Sequence, residues 1–164
     1  MESAQGGNET TKATTEVPSY TRPDCTLTLR EALAEHREKN PGLIDPADCE
    51  PDMAAFFESH DAVHVVFGLT TQLGDEAMAD TWTLLRVSIK NRDYVEYLRS
   101  STLQELLKSI SMKQFFVESL RALPRMFKAM LVSRKVKTWP WQVPADHYDM
   151  SLLELRKRYG IELV

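Results

Sequence analysis

Apolar residues recur at helical spacing along most of the chain, and clusters of turn-forming residues separate these stretches. The first predicted helix opens at a capping box formed by Thr28 and Glu31, and it ends at Asn40-Pro41-Gly42. A second helix is predicted over residues 52–68, and its apolar face includes the histidines of the segment. A third is predicted from about Asp75 to Ile89. Residues 28–89 are therefore expected to form three helices separated by turns.

The second half continues the pattern. A capping box at Ser101 to Gln104 precedes another helical stretch, and a third box at Ser151 and Glu154 opens a last helix that Tyr159-Gly160 stops. The chain shows no β-hairpin pattern, no internal repeat and no glycine-rich phosphate loop. We predict an all-α fold, a single-domain bundle of six or seven helices over residues 26–164. Residues 1–25 are predicted to be a flexible N-terminal tail.

The segment from Met112 to Lys135 combines a broad apolar face with basic residues. Two interpretations remain open: a surface that contacts a lipid or a membrane interface, and a core stripe on an ordinary helix with a solvated basic face. Pro124 is predicted to kink or break this helix. Under the first interpretation the lipid-binding residues are Met112, Phe115, Phe116, Leu120, Leu123, Phe127 and Met130. The residues that contact the membrane or an anion are then Arg121, Arg125 and Lys128.

The distribution of charge also distinguishes this segment from the rest of the chain. The net charge of −4 is unevenly distributed: residues 1–100 hold 18 acidic and 9 basic residues, whereas residues 101–164 hold 6 acidic and 11 basic ones. No acidic residue lies between Glu118 and Asp146. An anionic neighbour of this part of the chain is therefore expected.

Composition sets the remaining bounds. Hydrophobic residues make up 43% of the chain and charged residues 27%, as in a soluble globular protein. No run of about 18 apolar residues is present, so we expect no membrane span and no secretory signal. Cys25 and Cys49 match neither zinc-site spacing nor a redox motif, which favours a reducing compartment and leaves a disulfide between them open.

The candidate chemistry lies in the second predicted helix. His60 and His64 are four residues apart and would project about 40° apart around the helix axis. His64 and Glu76 are each six residues from Thr70, so a helical hairpin would place them opposite one another. Two imidazoles with one or two carboxylates, Asp61 among them, form a ligand set for a divalent metal. The alternative is a pair of helix-face histidines that contact neighbouring acids. His36 and His147 stand alone and are predicted to be ordinary surface or core residues.

The same residues carry a family resemblance. His60-Asp61-x-x-His64, followed after eleven residues by Glu76, resembles the signature of the fourth coenzyme Q (ubiquinone) biosynthesis protein family. The likeness covers roughly residues 26–164. It extends to the helix after the signature and to the C-terminal pattern Trp139, Trp141, Tyr148 and Leu152-x-Glu154-Leu155-Arg156-x-x-x-Gly160-Ile161.

The resemblance implies an all-helical protein that binds a divalent metal through His60, Asp61, His64 and Glu76. The identity of the ion stays open among Zn²⁺, Mg²⁺, Fe²⁺ and Mn²⁺. It further implies peripheral membrane association and binding of a polyprenylated quinone precursor. Members of the family are described as enzymes that remove the ring carboxyl at C1 and install a hydroxyl, and also as organisers of the ubiquinone-synthesising complex.

Two hypotheses about function follow, and both remain open. In the first the chain is a metal-dependent decarboxylase in which Asp61 or Glu76, if not both are ligands, carries the proton. In the second it is a non-enzymatic, lipid-binding scaffold. Metal-dependent hydrolysis is a minor third class. The metalloprotease motif HExxH uses its glutamate as general base, and the shorter Asp61 stands at that position here. Expected partners are an isoprenoid lipid, other quinone-biosynthesis proteins and a second copy of the chain, but no nucleic acid. The expected location is the bacterial cytoplasm, at the membrane surface.

Overall fold

A computed structural model describes residues 17–44, 51–90 and 111–164, together with the isolated residues 47, 49, 95 and 99. Within these residues there are five α-helices, three short 3-10 turns and no β-strand. The predicted all-α class is therefore confirmed. The helices are α1 (Leu29–Lys39), α2 (Pro51–Phe67), α3 (Leu73–Arg86), α4 (Met112–Val132) and α5 (Leu152–Tyr159).

The ends of α1 and α5 follow the local rules that predicted them. The Thr28 hydroxyl accepts from the Glu31 amide while the Glu31 carboxylate accepts from the Thr28 amide, and Ser151 and Glu154 repeat this arrangement. Gly160 ends α5 with φ of 68°, a left-handed conformation that favours glycine. The two helix starts also lie side by side, because Thr28 and Ser151 form an isolated antiparallel bridge.

The structure differs from the sequence predictions in the bounds of the third helix and in the effect of Pro124. The third helix runs from Leu73 to Arg86, so it begins two residues and ends three residues earlier than predicted. Pro124 does not break α4, which is continuous from Met112 to Val132. Residues 122 and 129 of this helix are buried, and their packing outweighs the local preference of one proline. The helical stretch predicted after the capping box at Ser101 to Gln104 lies outside the described residues as far as residue 110.

The core is centred on α2. This helix packs against α1 on one side and α3 on the other, and α4 packs chiefly against α3. Its fully buried residues are Ala62, Val63, Val65 and Val66, joined by Phe67, whose ring stacks on Trp82 of α3. The end of α2 is held by the buried Arg156 of α5, which donates to the carbonyl oxygens of Val65 and Val66. The C-terminal helix thus fixes the hairpin on which the candidate ligands stand.

The packed region begins earlier than the predicted boundary at residue 25. Tyr20 is fully buried, and Arg156 also donates to its carbonyl oxygen. Residues 17–25 therefore belong to the folded domain rather than to a flexible tail. Cys25 and Cys49 form no disulfide with each other. Among the described helices, none has the length and apolar character needed to cross a bilayer.

Candidate metal centre

The helical hairpin of α2 and α3 brings three of the predicted ligands together. One ligand atom each from His60, His64 and Glu76 lies within 4.8 Å of the others. The closest pair is His64 Nε2 and Glu76 Oε2, at 3.4 Å. His64 is almost completely buried, whereas the Glu76 side chain is about one-third exposed. The cluster therefore opens to solvent on the α3 side.

The donor atoms fit a divalent ion. Two ligands that each lie about 2.1 Å from a tetrahedral metal are about 3.4 Å apart, which matches the His64–Glu76 separation. Two imidazole nitrogens and one carboxylate also form a recognised catalytic set that leaves further coordination positions for water or substrate. Neither the described residues nor the spacing selects among zinc, iron, manganese and magnesium.

The ring of His64 is oriented by the turn between the helices. Its Nδ1 lies 3.0 Å from the carbonyl oxygen of Thr70. Because a carbonyl oxygen only accepts, Nδ1 carries the hydrogen, and Nε2 is the atom that faces Glu76. A backbone acceptor on the far nitrogen is the usual way in which a metal-binding histidine is fixed.

Charges in the cluster are already paired without an ion. Burial lowers the pKa of His64, but the Glu76 carboxylate and Asp61 outweigh burial and raise it above its ordinary value. Burial raises the pKa of Glu76, yet the nearby His64 lowers it overall. His60 differs, because burial and then His64 lower its pKa to about 4. The cluster thus combines the neutral imidazole of His60 with a His64–Glu76 pair in which each side chain favours the charged form of the other.

Asp61 is not brought into this group. Its carboxylate lies toward α1, where Arg37 Nε donates to Oδ2 at 3.3 Å, and His36 Nε2 is 3.8 Å from Oδ1. Successive residues on a helix project about 100° apart, so His60 and Asp61 face different neighbours. Burial raises the pKa of this carboxyl against the opposing effect of Arg37. Of the four residues in the signature, the structure therefore brings three together.

His36 is the residue that sequence reasoning missed. It is fully buried, and its ring stacks on His64 with centroids 5.6 Å apart. Its Nδ1 pairs with the Tyr20 hydroxyl at 2.9 Å, while Nε2 makes no hydrogen bond to any described residue. The spacing of Leu29, Leu33 and His36 on α1 is the signal that would have placed it in the core.

An aromatic wall lies beside the cluster. The Phe56 ring stacks on His60 at 6.3 Å and contacts Trp141 with ring centroids 4.9 Å apart. Phe56 precedes His60 by one helical turn, so the contact follows from the helix itself. Apolar side chains around a metal centre limit the access of water.

The apolar face of α4 lies largely at the surface. Side chains of Phe116 and Phe127 are 63% and 59% exposed, and those of Leu120, Leu123 and Met130 are about half exposed. These residues do not form the core stripe of the alternative interpretation. The side chains of Met112 and Phe115 lie outside the described part. Between α3 and α4 runs an apolar groove of about 350 Å³, lined by Thr81, Leu84, Leu85, Leu123, Met126, Phe127 and Met130.

The three predicted basic contacts have different surroundings. Arg125 turns toward α3, where Nη1 donates to Asp75 Oδ1 at 2.6 Å, and it also donates to the main-chain oxygen of Val164. Arg121 pairs with Glu118 on the same helix. Lys128 is exposed on α4. The Arg125 guanidinium is thus engaged by Asp75 and Val164, whereas Arg121 and Lys128 lie at the surface.

Neither the models of protein families nor the curated proteins nor the solved structures compared with this chain give a match.

Proposed function

We propose that this chain binds a divalent metal ion and acts on a polyprenylated, hydroxybenzoate-type ring in prenylquinone synthesis. The observation that supports this most directly is the convergence of His60, His64 and Glu76 on one point of the α2–α3 hairpin. The reaction is decarboxylation at C1 of the ring, in which CO₂ leaves and a proton takes its place. Hydroxylation of the same carbon would additionally require an external two-electron oxidant such as O₂. The signature resemblance supplies the substrate class, and the geometry supplies the donors.

The residues of the centre take separate roles in this proposal. A bound ion would supply the positive charge that stabilises negative charge on the ring as CO₂ leaves. His60 and His64 hold the ion with two nitrogens, and Glu76 offsets part of its charge. Asp61 lies outside the ligand group and faces Arg37 on the α1 side, so the proton that replaces the lost carboxyl group comes from water on the side of the centre that is open to solvent. Phe56 and Trp141 keep bulk water away from one side.

The prenyl tail has a suitable place next to the centre. Thr81, Leu84 and Leu85 of the groove follow Glu76 on α3 by five to nine residues, or about 8–14 Å along the helix axis. A chain of isoprene units needs an apolar channel of this kind. Exposed Lys128 and Arg121 lie on the same helix as the groove and favour an anionic membrane surface around it.

Metal content tests the proposal. Protein purified without chelators is expected to carry about one divalent ion per chain by elemental analysis and native mass spectrometry. His64→Ala removes a central nitrogen and is expected to lose the ion. The matched control is His147→Gln, which alters a buried histidine that contacts Tyr159 rather than the cluster. A metal-free wild type, or equal metal content in His64→Ala, would contradict the site.

The second candidate is a scaffold without ring chemistry. The observation that favours it is the extent of the exposed apolar surface on α4, which continues past the groove to Leu131. A scaffold would retain prenyl lipid on purification and release no CO₂ from a prenylated hydroxybenzoate in the presence of metal. CO₂ release that His64→Ala abolishes would exclude this candidate.

A further inference from the structure

A continuous set of contacts joins α4 to the candidate metal centre. Arg125 Nη1 donates to Asp75 Oδ1 at 2.6 Å. The other oxygen of Asp75 accepts from the Thr70 amide at 2.8 Å and from the Thr70 hydroxyl at 2.6 Å. The Thr70 carbonyl oxygen accepts from His64 Nδ1 at 3.0 Å. The path therefore starts on the helix with the apolar face and ends on a ligand ring.

Each contact restricts the next one. Asp75 stands in the first turn of α3 and reaches back to Thr70, so it fixes both the amide and the hydroxyl of that residue. Thr70 precedes the helix and has no helical hydrogen bond of its own to hold its carbonyl in place. Arg125 holds the carboxylate from the opposite side, and its remaining donors bind the main-chain oxygen of Val164. The direction of the Thr70 carbonyl thus depends on both side chains.

Burial favours a role for Asp75 beyond that of a surface ion pair. Its side chain is 14% exposed, and that of Arg125 is 41% exposed. Burial raises the pKa of Asp75, but its hydrogen bonds with Thr70 and its pairing with Arg125 lower it overall. The carboxylate is therefore charged at neutral pH and available to all three donors.

We propose that Arg125, Asp75 and Thr70 are positioning residues of the metal centre, which orient His64 and tie its geometry to α4. The inference rests on the proposed metal site. None of the three side chains belongs to the ligand group, so replacing them leaves all three ligands in place.

Helix α4 supplies a matched control. Arg121 lies one turn before Arg125 and pairs with Glu118 on the same helix, with its own side chain 71% exposed. This pair contacts neither Thr70 nor Asp75. Replacing Arg121 removes the same charge from the same helix without touching the path.

The test is a titration of metal-depleted protein with Co²⁺, monitored by the visible absorption of the bound ion. Wild type, Thr70→Val, Asp75→Asn, Arg125→Gln, Arg125→Lys and Arg121→Gln are compared, each with its thermal unfolding curve. Loss of an outer partner of a metal-binding histidine lowers affinity by about 10- to 100-fold. We expect that loss in Asp75→Asn and Arg125→Gln, with an altered Co²⁺ spectrum. Arg125→Lys should recover part of the affinity, and Arg121→Gln should match the wild type.

The outcomes separate this inference from the metal site itself. A wild type that binds no Co²⁺ would overturn the site and the positioning role together. A wild type that binds Co²⁺, with unchanged affinity and spectrum in Asp75→Asn and Arg125→Gln, would overturn the positioning role and leave the site standing. If Asp75→Asn does not fold, Thr70→Val and Arg125→Gln decide the question: a lower Co²⁺ affinity in both supports the positioning role, and unchanged affinity in both overturns it.

Discussion

Three histidines share one buried neighbourhood, and their surroundings push their proton affinities in opposite directions. Burial and the adjacent His64 lower the pKa of His36 to about 3 and that of His60 to about 4. His64 itself is raised, because the attraction of Glu76 exceeds the effect of burial. Of the three imidazoles, His64 thus binds a proton most readily, because the carboxylates of Glu76 and Asp61 favour its charged form. A metal ion would replace that proton, so binding releases it and strengthens as pH rises.

The lowered pKa values predict how the metal-free protein responds to acid. Between pH 6.5 and 5 the unfolded chain binds protons at His36 and His60 that the folded chain does not. The free energy of unfolding therefore decreases as pH falls, by up to about 1.4 kcal/mol per pH unit for each proton. His64 and Asp61, whose pKa values are raised, act in the opposite direction and make this decrease smaller than His36 and His60 alone would give.

Urea unfolding in the presence of a chelator, at several pH values across this window, measures the slope. His36→Phe keeps an aromatic ring of similar size and removes one titrating group, so its slope should be smaller by about one proton. A wild-type stability that stays constant or rises from pH 6.5 to 5 would contradict the prediction.

At this scale the sequence predicted pairs that lie within one hairpin and missed those that cross to another helix. Glu76 meets His64 because equal distances from Thr70 place both on facing helices. Asp61 points elsewhere because α1 brings Arg37 and His36 to the other side of α2, and nothing near Asp61 in the sequence records that. The same holds for Arg125, whose basic neighbours made it resemble a surface residue.

At the scale of elements, the ends of helices are decided by single residues. Gly68 follows α2 and Gly160 follows α5, and both have φ of 68°. A Cβ at position 160 would lie 2.8 Å from the main-chain oxygen of Lys135, whereas a Cβ at 68 would meet the flexible end of the Leu163 side chain at 2.7 Å. Left-handed backbone disfavours alanine by about 1–2 kcal/mol in either place.

We predict that Gly160→Ala destabilises the protein more than Gly68→Ala, because a main-chain oxygen moves less readily than a leucine methyl group. Each substitution should lower the free energy of unfolding by at least the left-handed penalty of about 1–2 kcal/mol, and the decrease should be larger at position 160. Gly42→Ala is the control, since a Cβ there meets nothing within 4 Å and the backbone is not left-handed. Denaturant midpoints compare the three variants. Equal stability of Gly160→Ala and Gly42→Ala would contradict the argument.

The capping boxes and Pro124 show which features of a helix nearby residues in the sequence can predict. The capping boxes at Thr28 and Ser151 were predictable because both partners lie within four residues of each other. Pro124 was expected to kink or break α4, yet the helix continues because Ala122 and Ala129 on its inner side pack into the protein. A proline removes one hydrogen bond, and long-range packing on both sides of it compensates.

At the scale of the whole molecule, α3 carries both the metal-centre residue Glu76 and, further along the helix, one wall of an apolar groove shared with α4. The sequence pattern alone did not decide whether the α4 stripe is core or surface, because a periodic apolar face looks the same in both cases. The decision depends on which other helices reach the stripe, and among the described helices α3 packs against one side of it. Exposed apolar residues clustered in this way mark a site of association.

The groove predicts binding of an isoprenoid chain that specific residues control. The double variant Leu123→Ser with Phe127→Ser removes two apolar side chains from the lining. It should weaken binding of geranylgeraniol at least about tenfold, since each buried side chain contributes about 1.5–3 kcal/mol. The free energy of unfolding should change by less than about 0.5 kcal/mol per substitution, because both side chains are more than half exposed.

Leu153→Ser, at a leucine of α5 with 45% exposure, is the control and should bind as the wild type does. Fluorescence titration and flotation with geranylgeraniol-loaded phosphatidylcholine vesicles measure the effect. Equal binding by the double variant and the control would place the isoprenoid elsewhere. It would also remove the support that the exposed face of α4 gives to a prenylated substrate for the proposed centre at His60, His64 and Glu76.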